Sequence, residues 1–346
     1  MPNTMHTETA VIIPNFNGKE VLSECLASLK NQSYKNLSLV VVDDGSVDNS
    51  IEIIQKECPE AIILENKKNI GFATSVNKGI RYALTHIQPK YIAFLNNDTE
   101  VHTEWLDSLV RQIQSHPKLS GLTSNMLFYT QRDVVNSQGC TLSPLLDGQD
   151  IHRNKKMSEV TCPQHVLGCC FGAALVRTSV ISDVGMLDER YHSYAEDIDW
   201  GWRANILGHD LGFCEKAVVY HRESYTSNTF FSSYFKTYHC KKNTLCNLIK
   251  NLETKNLFVS LLLLSIYYPL FSIGYIINIK RSEGSFKKVC NLPLKKRVRF
   301  AGIPFLSILW NIKNLPQTIR SRRDIQKRRM VSDVILVKKK LLPFTV

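Results

Sequence analysis

The chain reads as an α/β protein built on a parallel sheet, and three observations predict it. Over the first hundred residues, short apolar runs alternate with segments of helical spacing. One run, Leu39 to Val42, is apolar throughout, as suits a strand buried on both faces. Polar clusters follow directly after three runs: Asn15 to Asn17, Asp43 to Asp48, and Asn96 to Asp98. In an open parallel sheet the carboxyl ends of the strands face a single crevice, so clusters distant in sequence gather at one site.

Ala10 to Ile13 is the first strand. Asn17 is expected to cap the helix that follows, with Glu20 three residues on in the capping-box place. Val21, Leu22, Cys25, Leu26 and Leu29 supply the apolar face of that helix. Leu39 to Val42, Ala61 to Leu64 and Tyr91 to Leu95 are further strands, the last two separated by the helical stretch Phe72 to Leu84. Trp105, Leu106, Leu109, Val110 and Ile113 mark another helix. Beyond it, Leu122 to Phe128 and Phe171 to Val176 read as strands, and Glu196 to Leu207 as a helix stopped by Gly208. Ala217 to Tyr220 is a strand ending at His221. From about Lys236 the character changes, with an apolar run from Leu257 to Ile279, then a basic tail holding a shorter apolar run from Phe300 to Ile312.

Composition excludes several classes. With 44% hydrophobic and 21% charged residues the chain is globular, neither disordered nor fibrous. The net charge of +12 belongs to the tail: residues 280–346 hold 18 basic and 3 acidic side chains, which leaves residues 1–279 at −3. The bulk of the protein therefore has no general attraction for polyanions. Basic residues of the tail alternate with aliphatics, not with aromatic stacking platforms, so no nucleic-acid partner is expected. Ten cysteines include no C-x-x-C pair, and MPNTMHTETA lacks the basic and apolar regions of an export signal. Reduced, mostly buried thiols in a cytoplasmic protein are expected.

The 23 uncharged residues from Leu257 to Ile279 are long enough to cross a bilayer, although Pro269 and Asn278 interrupt them. Basic residues flank both ends, Lys241, Lys242, Lys250 and Lys255 before and Lys280, Arg281, Lys287 and Lys288 after. A single span would leave one cluster on the wrong face; a hairpin or an in-plane attachment to the cytoplasmic face of the membrane satisfies both.

Taken together, VIIPNFNGKEVLSECLASLKNQSY, VVVDDGSVDNS, NIGFATSVNKGI, AFLNNDTEV and YAEDIDWGWR resemble glycosyltransferase family 2, the large inverting GT-A class. The resemblance runs from Val11 to His221, close to two-thirds of the chain, and the hydrophobic, basic carboxyl end resembles rhamnosyltransferase-type members. It implies a Rossmann-like nucleotide-binding sheet with helices on both faces. Residues 1–235 would form the glycosyltransferase domain, with a nucleotide-sugar half at about 10–120 and an acceptor half at about 121–235. Residues 236–346 would form a helical, membrane-associated region.

Sugar transfer requires a held nucleotide, a neutralised diphosphate and a deprotonated acceptor hydroxyl. The resemblance assigns the nucleoside to Pro14, Asn15 and Asp44, the last able to accept from the N3–H of a pyrimidine. Asp43 and Asp48 are at least as well explained as turn and cap residues. Asn96-Asn97-Asp98 occupies the place of the family's DXD motif, and only Asp98 is acidic. Asp98 would bind Mg²⁺ or Mn²⁺ directly, Asn96 and Asn97 would face the donor, and His221 matches a histidine that ligates the metal in related enzymes. Glu196-Asp197 matches the ED motif, whose aspartate is the general base. An ordinary aspartate, with a pKa near 3.9, would be ionised for that task. Glu196, Trp200 and Arg203 fall on the acceptor side, the tryptophan first as a core residue and the arginine paired with a phosphate or with Asp199. Small residues at Gly168 to Cys170 would permit close approach there. The implied donor is dTDP-rhamnose or a UDP-hexose, and the implied acceptor a lipid-linked or polysaccharide chain of the bacterial surface. Two alternatives are a sugar-phosphate nucleotidyltransferase, whose glycine-rich phosphate loop PNFNGKE does not supply, and a catalytically silent nucleotide-sugar-binding membrane protein.

Overall fold

The computed structural model describes residues 7–222, 233–277 and 293–344. Within them a nine-stranded mixed sheet runs in the order β3-β2-β1-β4-β10-β6-β11-β5, with β7 paired to β6. The strands are β1 (Thr9–Asn15), β2 (Leu37–Asp43), β3 (Ile62–Glu65), β4 (Tyr91–Leu95), β5 (Thr99–Val101), β6 (Leu119–Phe128), β7 (Gln131–Ser137), β10 (Ala173–Arg177) and β11 (Asp210–His221). A separate hairpin joins β8 (Cys140–Leu142) to β9 (Gly148–Asp150).

Strands β1 to β4 pair in parallel, and β10 runs antiparallel to both β4 and β6. The helices α1 (Leu22–Lys30), α2 (Ser50–Glu57) and α4 (Trp105–Ser115) cover one face, and α3 (Phe72–Tyr82), α5 (Thr178–Val184) and α6 (Glu196–Ile206) the other. Alternation along β1 explains how both faces are filled: Val11 and Ile13 join the first layer, Ala10 and Ile12 the second, and all four are fully buried. The order 3-2-1-4 reverses chain direction of growth between β1 and β4, which opens a crevice at their carboxyl ends.

The start of α1 differs from expectation. Asn17 does not cap the helix and Glu20 closes no capping box, because Asn17 sits at φ 49° with its side chain accepting from the Val47 amide at 2.9 Å. Its own amide donates to Ser46 Oγ at 2.8 Å, so the residue ties the loop after β1 to the loop after β2. The helix begins instead on the Gly18 carbonyl, which accepts from the amides of Val21 and Leu22.

Five further helices follow: α7 (Ser233–Asn251), α8 (Thr254–Ile276), α9 (Leu294–Ala301), α10 (Ile303–Lys313) and α11 (Leu315–Arg328), before a short α12 (Asp333–Lys338). They share a third apolar cluster with Trp202, Ile198 and Ile206 of α6. Part of the basic tail is spent on the sheet domain: Arg328 pairs with Asp183 at 2.6 Å and Lys339 with Asp210 at 2.6 Å. Among the described residues, α8 is the one helix long and apolar enough to cross a membrane. The end of that apolar run, with Asn278, Lys280, Arg281, Lys287 and Lys288, lies outside the described residues.

Candidate active site

One cleft of about 390 Å³ opens at the carboxyl ends of β1 and β4. Its lining includes Pro14, Asn15, Asp44, Asn96, Asn97, Asp98, Glu196, Asp197 and His221. The residues expected from sequence are thus gathered in one place, apart from Trp200 and Arg203.

The nucleotide-side wall is a lattice of loop contacts. Asn97 Nδ2 donates to Asn15 Oδ1 at 2.7 Å across the switch point, and Asn15 Nδ2 donates to Asp43 at 2.9 Å. Asp44 accepts from the amides of Ile70 and Gly71, each at 3.0 Å, and from Asn66 Nδ2 at 2.9 Å. These bonds fix the carboxylate at the cleft wall and leave it acceptor capacity for a ligand N–H. Asp43 and Asp48 act as turn residues: Asp43 accepts from the Ser46 amide and Asp48 from the Ser50 amide.

Asp98 and His221 meet because of strand register. β11 pairs antiparallel with β5, His221 opposite Thr99, and the Arg222 amide donates to the Asp98 carbonyl. His221 Nε2 lies 3.1 Å from Asp98 Oδ1, while its Nδ1 contacts Asn136 Oδ1 at 2.9 Å. In the tautomer whose Nδ1 donates to the amide oxygen, Nε2 would offer its lone pair to a cation held beside the carboxylate. Two such atoms on adjacent corners of an octahedral ion, at bond lengths of about 2.1 Å, stand roughly 3 Å apart, so the pair fits a hard divalent cation.

The opposite wall is the amino terminus of α6. Gly201 makes its position possible: a Cβ there would lie 2.4 Å from Gly168 Cα, so only glycine lets α6 pack onto the 167–170 segment. Asp197 lines the cleft, its Oδ1 accepting from the Ile198 amide at 2.7 Å and its Oδ2 from Cys140 Sγ at 3.4 Å. Sequence suggested an ordinary carboxylate, but burial pushes the Asp197 pKa up to about 6. Burial, reinforced by the neighbouring Asp197 charge, also raises the Glu196 pKa well above the ordinary carboxylate value.

Two acceptor-side expectations fail for packing reasons. Trp200 is 2% exposed, with its indole N–H on the Gly185 carbonyl and its ring against Phe171, and it does not reach the cleft. Arg203 donates to Asp199 at 3.0 Å and to the carbonyls of Val184 and Met186, which occupies its guanidinium with α6 and the end of α5.

Sequence reasoning placed α7 at the start of a helical, membrane-associated region and missed that it supports this wall. Asn243, Asn247 and Asn251 lie four residues apart on α7 and so share one face. Asn243 Nδ2 donates to the carbonyls of Tyr191, Ser193 and Tyr194, Asn247 Nδ2 to that of Ala195 at 3.0 Å, and Asn251 Nδ2 to Asp199 at 3.1 Å. The loop they hold contains His192, Tyr194 and Ala195 at φ of 66°, 71° and 62°. Such conformations cost on the order of 1–3 kcal/mol each and persist only where surrounding contacts over-determine them. Lys250, 2% exposed by side chain, adds ion pairs to Asp199 at 2.8 Å and Asp188 at 2.9 Å. Burial opposes the Asp199 charge, but Lys250 and Arg203 outweigh it and hold its pKa below the usual carboxylate value. The polar stripe was visible in the sequence as Asn243, Asn247 and Lys250 at helical spacing.

The fold has known counterparts. S. aureus TarS (residues 1–349, with UDP) superposes with a TM-score of 0.53 at 20% identity, covering 92% of this chain and 91% of that one, and the same protein has been crystallised with UDP-GlcNAc. That likeness is one of fold, a GT-A-like mixed α/β sheet. An uncharacterized glycosyltransferase of Haemophilus influenzae is 25% identical over 223 residues, 61% of this chain and 64% of that protein. The chain therefore spans less than two thirds of that relative's length. The low-salt glycan biosynthesis hexosyltransferase Agl10 of Haloferax volcanii is 25% identical over 242 residues, 67% of this chain and 72% of that protein. Residues 10–185, about half of the chain and the segment that carries Asn15, Asp44 and Asp98, match glycosyl transferase family 2, and the chain belongs to that family.

Proposed function

We propose that this glycosyltransferase is an inverting enzyme that moves a sugar from a pyrimidine nucleoside diphosphate sugar to a membrane-borne saccharide acceptor. The observation that carries the reading is that Asp44, the Asp98–His221 pair and Asp197 line one cleft. Asp44, with Pro14 and Asn15, takes the nucleoside; uracil and thymine share the N3–H that its carboxylate accepts. Asp98 and His221 hold a divalent cation, Mg²⁺ or Mn²⁺, which when bound neutralises the diphosphate of the leaving group. Asn96 and Asn97 face the same donor side.

Asp197 accepts the proton of the attacking hydroxyl. A carboxylate with pKa about 6 is a stronger base than an exposed aspartate and is still ionised at neutral pH. One base and one leaving group suffice for a single in-line displacement, which inverts the anomeric centre without an enzyme nucleophile. The donor is a UDP-hexose or dTDP-rhamnose.

A surface distinct from the cleft supports the membrane-borne acceptor. Phe258, Leu262, Ile266, Leu270 and Ile273 form an exposed stripe along α8, and Phe305, Leu309 and Ile312 extend it on α10. Phe258 is 70% exposed, and Leu262 and Phe305 each 64%. Exposed Lys255, Lys295, Lys296 and Lys313 lie on the same or adjoining helices. An apolar face with lysines beside it matches the cytoplasmic surface of a bilayer, lipid chains below and anionic headgroups at the rim.

The test is a donor panel of UDP-hexoses and dTDP-rhamnose, with Mn²⁺ and a lipid-linked saccharide acceptor, read by released nucleoside diphosphate. One pyrimidine donor should be turned over, and Asp98→Ala should abolish the metal dependence. Turnover undiminished in excess EDTA, or in Asp197→Asn, would overturn the assignment of these residues.

A further inference from the structure

The cleft contains a second group of metal-binding atoms that neither the donor side nor the base requires. Cys140 Sγ, Cys170 Sγ and a carboxylate oxygen of Asp150 all lie within 4.8 Å of one another. The main chain fixes all three residues. Cys140 and Asp150 are directly opposed in the β8–β9 register, so their side chains leave the hairpin on the same face. Cys140 also bridges Gly168 through paired backbone hydrogen bonds of 2.8 and 3.2 Å, and Cys170 follows two residues later, with its amide on Thr123 Oγ1 at 3.2 Å. Cys140 Sγ also donates to Asp197 Oδ2 at 3.4 Å, which ties the trio to the base.

We propose that Cys140, Cys170 and Asp150 form a binding site for a thiophilic divalent cation such as Zn²⁺, and that its occupation takes the Cys140 S–H donor away from Asp197. Two thiolates and carboxylate oxygen match the soft, tetrahedral preference of zinc and not the all-oxygen or oxygen–imidazole preference of Mg²⁺ and Mn²⁺. Zn–S bonds of about 2.3 Å put tetrahedral sulfurs roughly 3.7 Å apart, so the ligands need close by about 1 Å at most. The balance is simple: one Zn²⁺ enters, the Cys140 and Cys170 thiols lose their protons to solvent, and no oxidant takes part. Only the consequence for sugar transfer rests on the function proposed above; the binding itself does not.

Co²⁺ titration of the purified full chain tests the site without any assay of activity. The wild type should take up one Co²⁺ with a thiolate-to-cobalt charge-transfer absorption that stoichiometric Zn²⁺ abolishes. The band should vanish in C140S/C170S, weaken at least tenfold in affinity in D150N, and persist in C162S and C240S, with circular dichroism confirming that each variant is folded. Absence of the band in the wild type, or its persistence in C140S/C170S, would overturn the proposal. In a working transfer assay with saturating Mn²⁺, Zn²⁺ should inhibit the wild type, and the ratio of rates with and without Zn²⁺ should return to near one in C170S. Inhibition that is equal in C170S would overturn the claim that the ion acts through this site.

Discussion

The two walls of the cleft are built by opposite strategies. The donor wall consists of loops at strand ends whose side chains bond to one another: Asn15 to Asp43, Asn97 to Asn15, Asp44 to the 66–71 loop. Every member lies within the first hundred residues, and the family match covers it whole. The base wall is a helix terminus pinned from outside by α7, through buried asparagines and a buried lysine that belong to a segment 50 residues further on. The family match ends at residue 185, before Asp197. Local bonding makes the first wall tolerant of single losses, whereas the second depends on a few desolvated charges.

The sharpest way to break this comparison is to remove the base. Asp197→Asn should lower kcat by roughly 10²- to 10⁴-fold while leaving the donor KM within about twofold, because the donor wall is untouched. Loss of donor binding in that variant would mean the walls are not separate.

Stability should divide in the same way. Lys250→Met removes one of two cationic partners from each of Asp188 and Asp199, leaving Arg190 and Arg203, and should cost about 3 kcal/mol in urea unfolding, whereas Asn97→Ala, which removes one loop hydrogen bond, should cost about 1 kcal/mol. Equal losses would refute the contrast.

The pH profile sharpens it further. In the proposed mechanism deprotonated Asp197 is the active form, so kcat should fall about tenfold per unit below pH 6 and level off above it. The sign for stability is the reverse. A folded pKa raised above the unfolded value means the folded state binds the extra proton, so Asp197 contributes stability below about pH 4 that is lost as pH rises through 6. The acid limb of kcat should disappear in Asp197→Asn.

The smallest effect is expected on the α8–α10 face. Leu262→Lys with Phe305→Lys should reduce co-sedimentation with anionic vesicles several-fold and leave transfer to a soluble acceptor within about twofold, since neither residue lines the cleft. Unchanged sedimentation would remove this face as the attachment surface.

Legibility from sequence followed the same divide. The donor wall was readable because each cluster sits where a buried apolar strand ends, and strand ends in a parallel sheet share an edge. Asn17 misled because its spacing to Glu20 satisfied a local capping rule while a tertiary bond to Val47 used the side chain instead. Trp200 and Arg203 were placed near the acceptor by proximity to Asp197 along the chain; Asp197 sits in the first turn at the cleft, whereas Trp200 and Arg203 lie one and two turns deeper, packed on Phe171 and the end of α5. The support from α7 was hidden for a different reason: its asparagines and lysine have the composition of a solvated helix, and only the strained 191–195 loop explains why they are buried. Cys140 and Asp150 meet through a hairpin register that no periodicity announces.

The register that seats His221 opposite Thr99 also orders events during synthesis. Since β5 leaves the ribosome more than a hundred residues before β11, a nascent chain can complete its nucleotide loops long before Asp98 acquires its imidazole neighbour. On the proposed metal assignment, cation capture is a late milestone of biogenesis, and a chain truncated short of His221 would keep Asp98 as the one member of the pair.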